Sequence, residues 1–265
     1  MSEPGTPKYS LETKGSLQER RHLREDIIPI RLQIVDSDVG DEELDSIYEK
    51  LEEDEGKGVV NSVDLDGGDL GVLENNGFKH SGPDSYLISP ISERDWTSDH
   101  YFNCTGVVAI GRDKDTGREV SFLTHQDPKY FVDGNNEEKE KFSRELVASL
   151  KELESLSEVG TVEILLLGGN FGTGNIPNRD LQQRQYKQSI KRLREIIFES
   201  LGFDPKVITG PNNIIGSETV VVVETQKRNV WIERDKQLPE FDQSYQASLL
   251  DEAEKRWFKK EEEGK

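Results

Sequence analysis

Short apolar segments alternate with two long helical segments in the second half of the chain, and this alternation restricts the fold more than any other feature. Residues 137–156 carry apolar side chains on one helical face, and residues 180–201 form a second long helix that Gly202 ends. The shorter apolar segments are bounded by turn residues and have the length of buried strands. They are residues 107–111, 119–124, 162–167, 206–209, 219–225 and 229–234. The chain is therefore predicted to combine helices and strands in one fold.

The first half of the chain carries weaker signals. Residues 27–35 alternate apolar and polar side chains as a strand does, and Pro29 favours an edge position. Residues 41–54 have the apolar spacing of a short amphipathic helix, and residues 59–65 are predicted to form a further strand.

Composition divides the chain into three parts. Residues 1–26 mix Ser, Gly, Pro and charged residues without an apolar period, which is typical of a mobile tail. Residues 27–240 are predicted to form a single domain with its core at 98–235, and residues 241–265 to form a charged C-terminal helix.

Charge and apolar content exclude several classes of protein. The chain of 265 residues has 53 acidic and 34 basic residues and a net charge of −19 without a basic cluster, so it would repel nucleic acid. The longest apolar run, residues 164–167, is far shorter than the ~18 residues of a membrane span. Residues 1–26 lack the apolar core of a signal peptide, and Cys104 is the only cysteine, so it has no disulfide partner within the chain. These features predict a cytoplasmic protein.

Two segments resemble ligand-binding loops without meeting their requirements. The acidic run 64–69 has Asp69 and Asn75 where an EF-hand loop needs Gly and Glu. The glycine-rich segment 168–174 follows a strand but lacks the Lys-Ser/Thr ending of a phosphate-binding loop. Solvated turns are the better interpretation of both.

Cys104 and His125 flank a predicted hairpin. Its turn centres near Asp115 and Thr116, so paired residues should have an index sum of 229 to 232, and residues 125–128 should lie opposite Cys104. A neighbouring imidazole lowers the pKa of a thiol and generates the nucleophilic thiolate. The alternative is that Cys104 is an inert core residue and His125 a structural one.

The residues around this pair resemble a known family of enzymes. Cys-Thr-Gly-Val-Val-Ala at 104–109, followed after a turn by Phe-Leu-Thr-His at 122–125, is similar to the chemotaxis receptor-glutamine deamidases of the CheD type. It also resembles the wider superfamily that contains the cytotoxic necrotizing factor-type toxin deamidases. Further similar segments follow in the same order, at residues 129–131, 167–169, 175–180 and 209–212, so that the resemblance covers about residues 98–235.

The resemblance implies a fold and a chemistry. The fold would be α+β, a layered α/β/β/α sandwich of mixed sheets with two long flanking helices. The reaction would be hydrolysis of a glutamine side chain in a protein substrate, with Cys104 as nucleophile and His125 as acid and base, and without metal or organic cofactor. The third catalytic residue of the family is a Thr six positions before the Cys, where this chain has Ser98, with Thr97 beside it.

The resemblance also implies how the oxyanion is held. Backbone N–H groups of Cys104 and Thr105 would hold it, with help from the side chain of Asn103, which stands where the family has a small residue. No Arg or Asp clamp is evident beside Cys104, so free glutamine is expected to be a poor substrate. Two alternatives stay open: a non-catalytic binding module that kept the fold, and a cysteine hydrolase of the same superfamily that acts on a small amide or thioester. The oligomeric state is also open.

Overall fold

The computed structural model describes residues 28–36, 40–65, 69–82, 85–99, 101, 103–169, 179–208 and 219–234. The predicted tail 1–26 and the predicted helix 241–265 lie outside the described residues. The strands in the described part are β1 (Arg31–Asp36), β2 (Lys79–His80), β3 (Tyr86–Ile88), β4 (Trp96–Ser98), β5 (Thr105–Arg112), β6 (Glu119–Gln126), β7 (Glu163–Gly168), β8 (Lys206–Ile208), β9 (Thr219–Glu224) and β10 (Asn229–Arg234). The helices there are α1 (Glu42–Gly56), α2 (Leu70–Asn75), α3 (Pro128–Asp133), α4 (Asn136–Leu156) and α5 (Arg179–Leu201).

The strands form two sheets. The larger sheet has the order β2-β3-β6-β5-β7-β8, and the smaller one has the order β1-β10-β9-β4. Each sheet contains one parallel pair, β7 with β8 and β1 with β10, among antiparallel neighbours. Both sheets are therefore mixed. The edge position of β1 in the smaller sheet agrees with the indication from Pro29.

Three apolar cores define the order of the layers. The core between the larger sheet and the long helices includes Val107, Phe122, Leu146, Leu150, Leu166, Leu193 and Ile197. The core between the two sheets includes Cys104, Val108, Ile110, Leu123, Leu165, Val221, Val230 and Ile232. The core between the smaller sheet and α1 includes Leu44, Ile47, Leu51, Val222 and Trp231. The protein is thus an α+β sandwich with the layers α/β/β/α, as the sequence analysis predicted.

Local sequence explains where the main helices begin. Asp41 caps α1 by accepting hydrogen bonds from the backbone N–H groups of Glu43 and Leu44, and Asn135 caps α4 by accepting from Glu138. Each cap satisfies N–H groups that have no partner within the helix. Among the described residues, every helix falls short of the length and apolar character that a membrane crossing requires.

The prediction of a strand at residues 59–65 is wrong. This segment makes a single parallel bridge, between Ser62 and Thr97 of β4, through the two backbone hydrogen bonds that join Thr97 to residues 61 and 63. Its polar side chains bond to neighbouring loops instead of continuing a ladder, as Asp64 does in accepting from the backbone N–H of Asp99 at 2.7 Å. The segment therefore lies along β4 as an irregular extension of the smaller sheet.

A buried ion cluster joins the two sheets at the C-terminal end of β5. The guanidinium of Arg228, in the turn between β9 and β10, donates to Glu119 at 2.7 Å, to Glu163 at 3.1 Å and to the carbonyl oxygen of Thr161 at 2.9 Å. Arg112, the last residue of β5, donates to the same Glu119 at 3.1 Å. Because Arg228 is only 1% exposed, these contacts are shielded from water and hold the hairpin of the smaller sheet to the larger one.

Candidate active site

Cys104 and His125 lie on the same face of the larger sheet. Thr105 pairs with Gln126, so paired residues have an index sum of 231, within the predicted window of 229 to 232. This register places Gly106 opposite His125 and makes Cys104 the diagonal neighbour of His125. Diagonal residues on one face of an antiparallel pair are about 7–8 Å apart, within reach of long side chains. The sequence analysis placed His125 at the near limit of the residues facing Cys104, and the structure places it two residues from the facing position.

This shared face is the one turned toward the smaller sheet. Cys104 belongs to the apolar core between the sheets. The side chain of Cys104 is 9% exposed and that of His125 is 1% exposed. The pair therefore lies at the end of the sandwich and beneath its surface, where water competes weakly with polar contacts.

Ser98, the last residue of β4, holds the imidazole of His125 from the opposite sheet. Its hydroxyl donates to the carbonyl oxygen of Val63 at 2.6 Å, and its Oγ lies 3.1 Å from Nδ1 of His125. Nδ1 also lies 3.3 Å from the same carbonyl oxygen. The single hydroxyl proton is used toward Val63, and a carbonyl only accepts, so Nδ1 must carry the proton that both oxygens accept. In the neutral ring the basic lone pair is then on Nε2.

Tyr101 fixes the plane of the same imidazole. Its ring stacks on that of His125 with centroids 4.1 Å apart and planes 8° from parallel. The phenol donates to the carbonyl oxygen of Thr124 at 2.7 Å, and burial raises the pKa of Tyr101 well above its usual value, so the donor stays protonated. A side chain at position 106 would meet the phenol, since an ideal Cβ on Gly106 would lie 2.5 Å from its oxygen. Gly106 therefore provides the space for Tyr101.

Two carboxyl groups stabilise the segment that supplies the Val63 carbonyl. Asp64 accepts from the backbone N–H of Asp99 at 2.7 Å and from the hydroxyl of Ser62. Burial, followed by a hydrogen bond with the carboxyl of Asp99, raises the pKa of Asp64 above its usual value. These contacts bind the loop to the end of β4 and thereby fix the carbonyl that Ser98 and His125 share.

The two other side chains predicted to help the pair are placed differently. Thr97 precedes Ser98 in β4 and pairs with Val222 of β9. Side chains alternate along a strand, so Thr97 lies on the face opposite to Ser98. Ser98 is thus the hydroxyl that the structure brings to His125, and Thr97 is not. Asn103 is half-buried and stands directly before Cys104.

The backbone around Cys104 is part of the sheet. The Cys104 carbonyl accepts from the N–H of Gly169 at 2.9 Å, just after β7. Thr105 is paired on both sides, with Gln126 and with Gly168, and its hydroxyl accepts from the Gln126 side chain at 3.1 Å. The participation of the Cys104 and Thr105 N–H groups in an oxyanion hole stays a prediction. Thr105 lies within the sheet, so its N–H group would have to serve both the strand pairing and the oxyanion.

Sequence reasoning indicated Ser98 but missed the two other groups that orient the histidine, the Tyr101 ring and the Val63 carbonyl. Tyr101 lies in a segment without an apolar period, and the Val63 contact is made by a backbone carbonyl, which has no side-chain signature. Gly106 was visible as part of Cys-Thr-Gly, but its role in making space depends on tertiary packing. Within the described ranges, no group of three or more His, Cys, Asp or Glu side chains is placed to hold a metal ion.

Sequence comparison adds no known relative that would bear on the role of this site. No model of a known protein family matches the chain, and a search of curated protein sequences finds no match either.

Proposed function

We propose that this protein hydrolyses the carboxamide of a protein glutamine side chain, with Cys104 as nucleophile and His125 as general base and acid. The observation that carries the proposal is the hydrogen bonding of His125. Its Nδ1 faces the two oxygens of Ser98 and Val63, so the neutral ring has its basic nitrogen at Nε2, on the sheet face that also bears Cys104. The resemblance to the receptor-glutamine deamidases supports the same assignment.

The reaction proceeds in two halves. Nε2 of His125 takes the thiol proton, and the Cys104 sulfur attacks the carboxamide carbon to form a tetrahedral intermediate. The C–N bond breaks as His125 returns the proton to the leaving nitrogen, which departs as ammonia and leaves a thioester. His125 then takes a proton from water, the hydroxide attacks the thioester carbon, and glutamate is released as the thiol is restored.

Ser98 acts as a positioning residue in this scheme. By accepting from Nδ1–H it keeps the proton on the nitrogen away from the reaction and stabilises the imidazolium that forms during attack. Tyr101 prevents rotation of the ring by stacking on it. The backbone N–H groups of Cys104 and Thr105, with the side chain of Asn103, are the proposed oxyanion donors.

A non-catalytic binding module is the second candidate, and burial of the pair favours it. His125 is 1% exposed and Tyr101 is fully buried against it, so a substrate carboxamide reaches Cys104 only if the end of the sandwich opens. A module that kept the fold for binding alone would have no need to open. A protein partner, a cytoplasmic location and the absence of nucleic-acid binding are proposed for both candidates, and the partner is a substrate only for the first.

Thiol reactivity separates the two candidates first. An activated Cys104 should react with iodoacetamide near pH 6.5, below the ~8.5 at which a free thiol ionises. The His125→Ala variant should lose this reaction at pH 6.5 and keep it at pH 9, where the thiol ionises without help. Identical pH profiles for both proteins would assign Cys104 to the inert core.

Mass spectrometry then tests the chemistry. Wild type and the nearly isosteric Cys104→Ser variant are incubated with candidate partner proteins, and the partners are digested and searched for a gain of about one dalton at glutamine. The proposal expects the gain with wild type alone, because a hydroxyl is a far weaker nucleophile at neutral pH. A stable complex with no mass change would favour the binding module, and a gain with both proteins would locate the chemistry elsewhere.

A further inference from the structure

Arg234, the last residue of β10, is a buried cation at the end of the sandwich. Val230 and Ile232 belong to the core between the sheets, so Arg234, on the same strand face, continues their row. Its side chain is 3% exposed, and its Nε and Nη2 have no hydrogen-bond partner among the described residues. A buried guanidinium with two unsatisfied donors is costly and requires a reason.

Arg228, in the same row, has partners for both Nη1 and Nη2, and only its Nε has none among the described residues. It precedes β10 by one residue, is 1% exposed, and binds two carboxylates and a carbonyl at the opposite end of the strand. The fold therefore pairs one buried arginine with two carboxylates, whereas Nε and Nη2 of the other have no acceptor among the described residues. The difference points to an acceptor for Arg234 that is not one of the described residues.

The position of Arg234 relates it to the proposed active site. Tyr186 of α5 lies close enough to Arg234 to affect its pKa, and the Tyr186 phenol donates to the carbonyl oxygen of Gly169 at 3.1 Å. The N–H of Gly169 donates in turn to the carbonyl of Cys104. Burial lowers the pKa of Arg234 to about 10, so the guanidinium remains charged at neutral pH. A permanent positive charge thus lies at the Cys104 end of the sandwich.

We propose that Arg234 forms a binding site for the carboxylate of a small molecule. Nε and Nη2 are the two nitrogens along one edge of the guanidinium, and their N–H bonds point the same way. This edge matches the two oxygens of a carboxylate, which it holds through two parallel hydrogen bonds. The site goes beyond the proposed function, because it requires nothing of the chemistry at Cys104.

Thermal unfolding with added carboxylates tests the site. Glutarate and L-glutamate, at constant ionic strength set with sodium chloride, should raise the melting temperature of the wild type in a saturable way, whereas neutral glutaramide should not. Arg234→Met keeps the apolar stem and removes the charge. It should melt about 2–6 °C higher than wild type without ligand, because a buried cation with two unsatisfied donors is lost, and it should not respond to glutarate.

Two further experiments ask which kind of molecule supplies the carboxylate and provide a test that does not depend on the folding of Arg234→Met. Tetraalanine with a free carboxyl terminus, compared with its amidated form, shows whether a peptide terminus also binds. If Arg234→Met does not fold, calorimetric titration of wild type should find glutaramide at least about tenfold weaker than glutarate. The proposal is overturned if wild type gives no response to any carboxylate, if Arg234→Met responds equally, or if glutaramide binds as well as glutarate.

Discussion

Replacing Gly106 with Ala should break the contact between Tyr101 and His125. An ideal Cβ at position 106 would lie 2.5 Å from the carbonyl oxygen of Thr124, 2.5 Å from the Tyr101 hydroxyl and 2.9 Å from Cε1 of the same ring. Real Cβ atoms essentially never approach other atoms this closely, and the Thr124 carbonyl belongs to the central part of the sheet. The phenol must therefore move, and it must give up its hydrogen bond to Thr124 when it does.

The size of the effect follows from these contacts. Loss of the buried hydrogen bond costs about 0.5–1.5 kcal/mol, and the overpacked methyl group costs about 1–3 kcal/mol. Alanine recovers about 0.5–1 kcal/mol, because glycine loses more backbone entropy in a strand. The net expectation for Gly106→Ala is a loss of about 0.5–4 kcal/mol in the free energy of unfolding, together with slower alkylation of Cys104 once the imidazole loses its stacking partner.

Urea unfolding measures this loss, and Gly56→Ala is the matched control. Gly56 ends α1, and an added Cβ there would meet nothing within 4 Å, so this variant should be as stable as wild type or slightly more so. Tyr101→Phe removes one of the atoms struck by the new methyl group, so its effect should not add to that of Gly106→Ala. A Gly106→Ala protein with wild-type stability, or additive effects of the two substitutions, would refute the reasoning.

Three further substitutions test other contacts. Ser98→Ala removes the acceptor for the Nδ1–H of His125, so it should lower the free energy of unfolding by about 1–3 kcal/mol and slow alkylation of the Cys104 thiol at pH 6.5. Ser98→Thr keeps the hydroxyl and should retain the wild-type stability and alkylation rate. Equal alkylation rates for the two variants would contradict the positioning role. Arg228→Met removes the cation that Glu119 and Glu163 share, which Arg112 and Lys206 replace only in part. It should cost about 3–5 kcal/mol in urea unfolding, and a neutral result would show that the cluster adds no stability. Burial pushes the pKa of Glu224 upward, but hydrogen bonds from Lys227 and two other side chains outweigh this and lower it below the usual 4.5. The contribution of Glu224 to stability is therefore present above pH 4.5 and lost as the pH falls through the lowered pKa. Glu224→Gln should make the free energy of unfolding depend less on pH in the acid range. An unchanged dependence would contradict this assignment.

The parts of the fold that depend on local sequence were predictable. The hairpin register follows from its turn, where Asp113 accepts hydrogen bonds from the backbone N–H groups of Asp115 and Thr116. That turn fixes which residues pair along β5 and β6, and hence that Cys104 and His125 share a face. The long helix α4 was equally accessible, because its apolar residues repeat at helical spacing over 21 residues.

The orientation of His125 was not predictable in the same way. It depends on Ser98 in a three-residue strand, which is too short to show a period, and on the carbonyl of Val63, which any residue would provide. Tyr101 reaches the ring only because Gly106, across the strand pair, has no side chain. Each contact joins segments that meet through sheet packing, so a pattern within one segment carries no trace of it.

The two ends of β10 show how the fold divides stability and binding. Arg228 and Arg234 point into the same space between the sheets and are both almost fully buried, yet of these two only Arg228 contacts carboxylates among the described side chains. The ion cluster around Arg228 secures the end where the hairpin turns, so the end that contains Cys104 can retain a cation whose Nε and Nη2 have no hydrogen-bond partner among the described residues. A protein folds stably with such a charge only if the rest of the structure offsets its cost, and residues retained against stability are characteristic of binding sites. Opposite effects of Arg228→Met and Arg234→Met on unfolding would express this division directly, because the first removes a cation bound to two carboxylates and the second a cation with two unsatisfied donors.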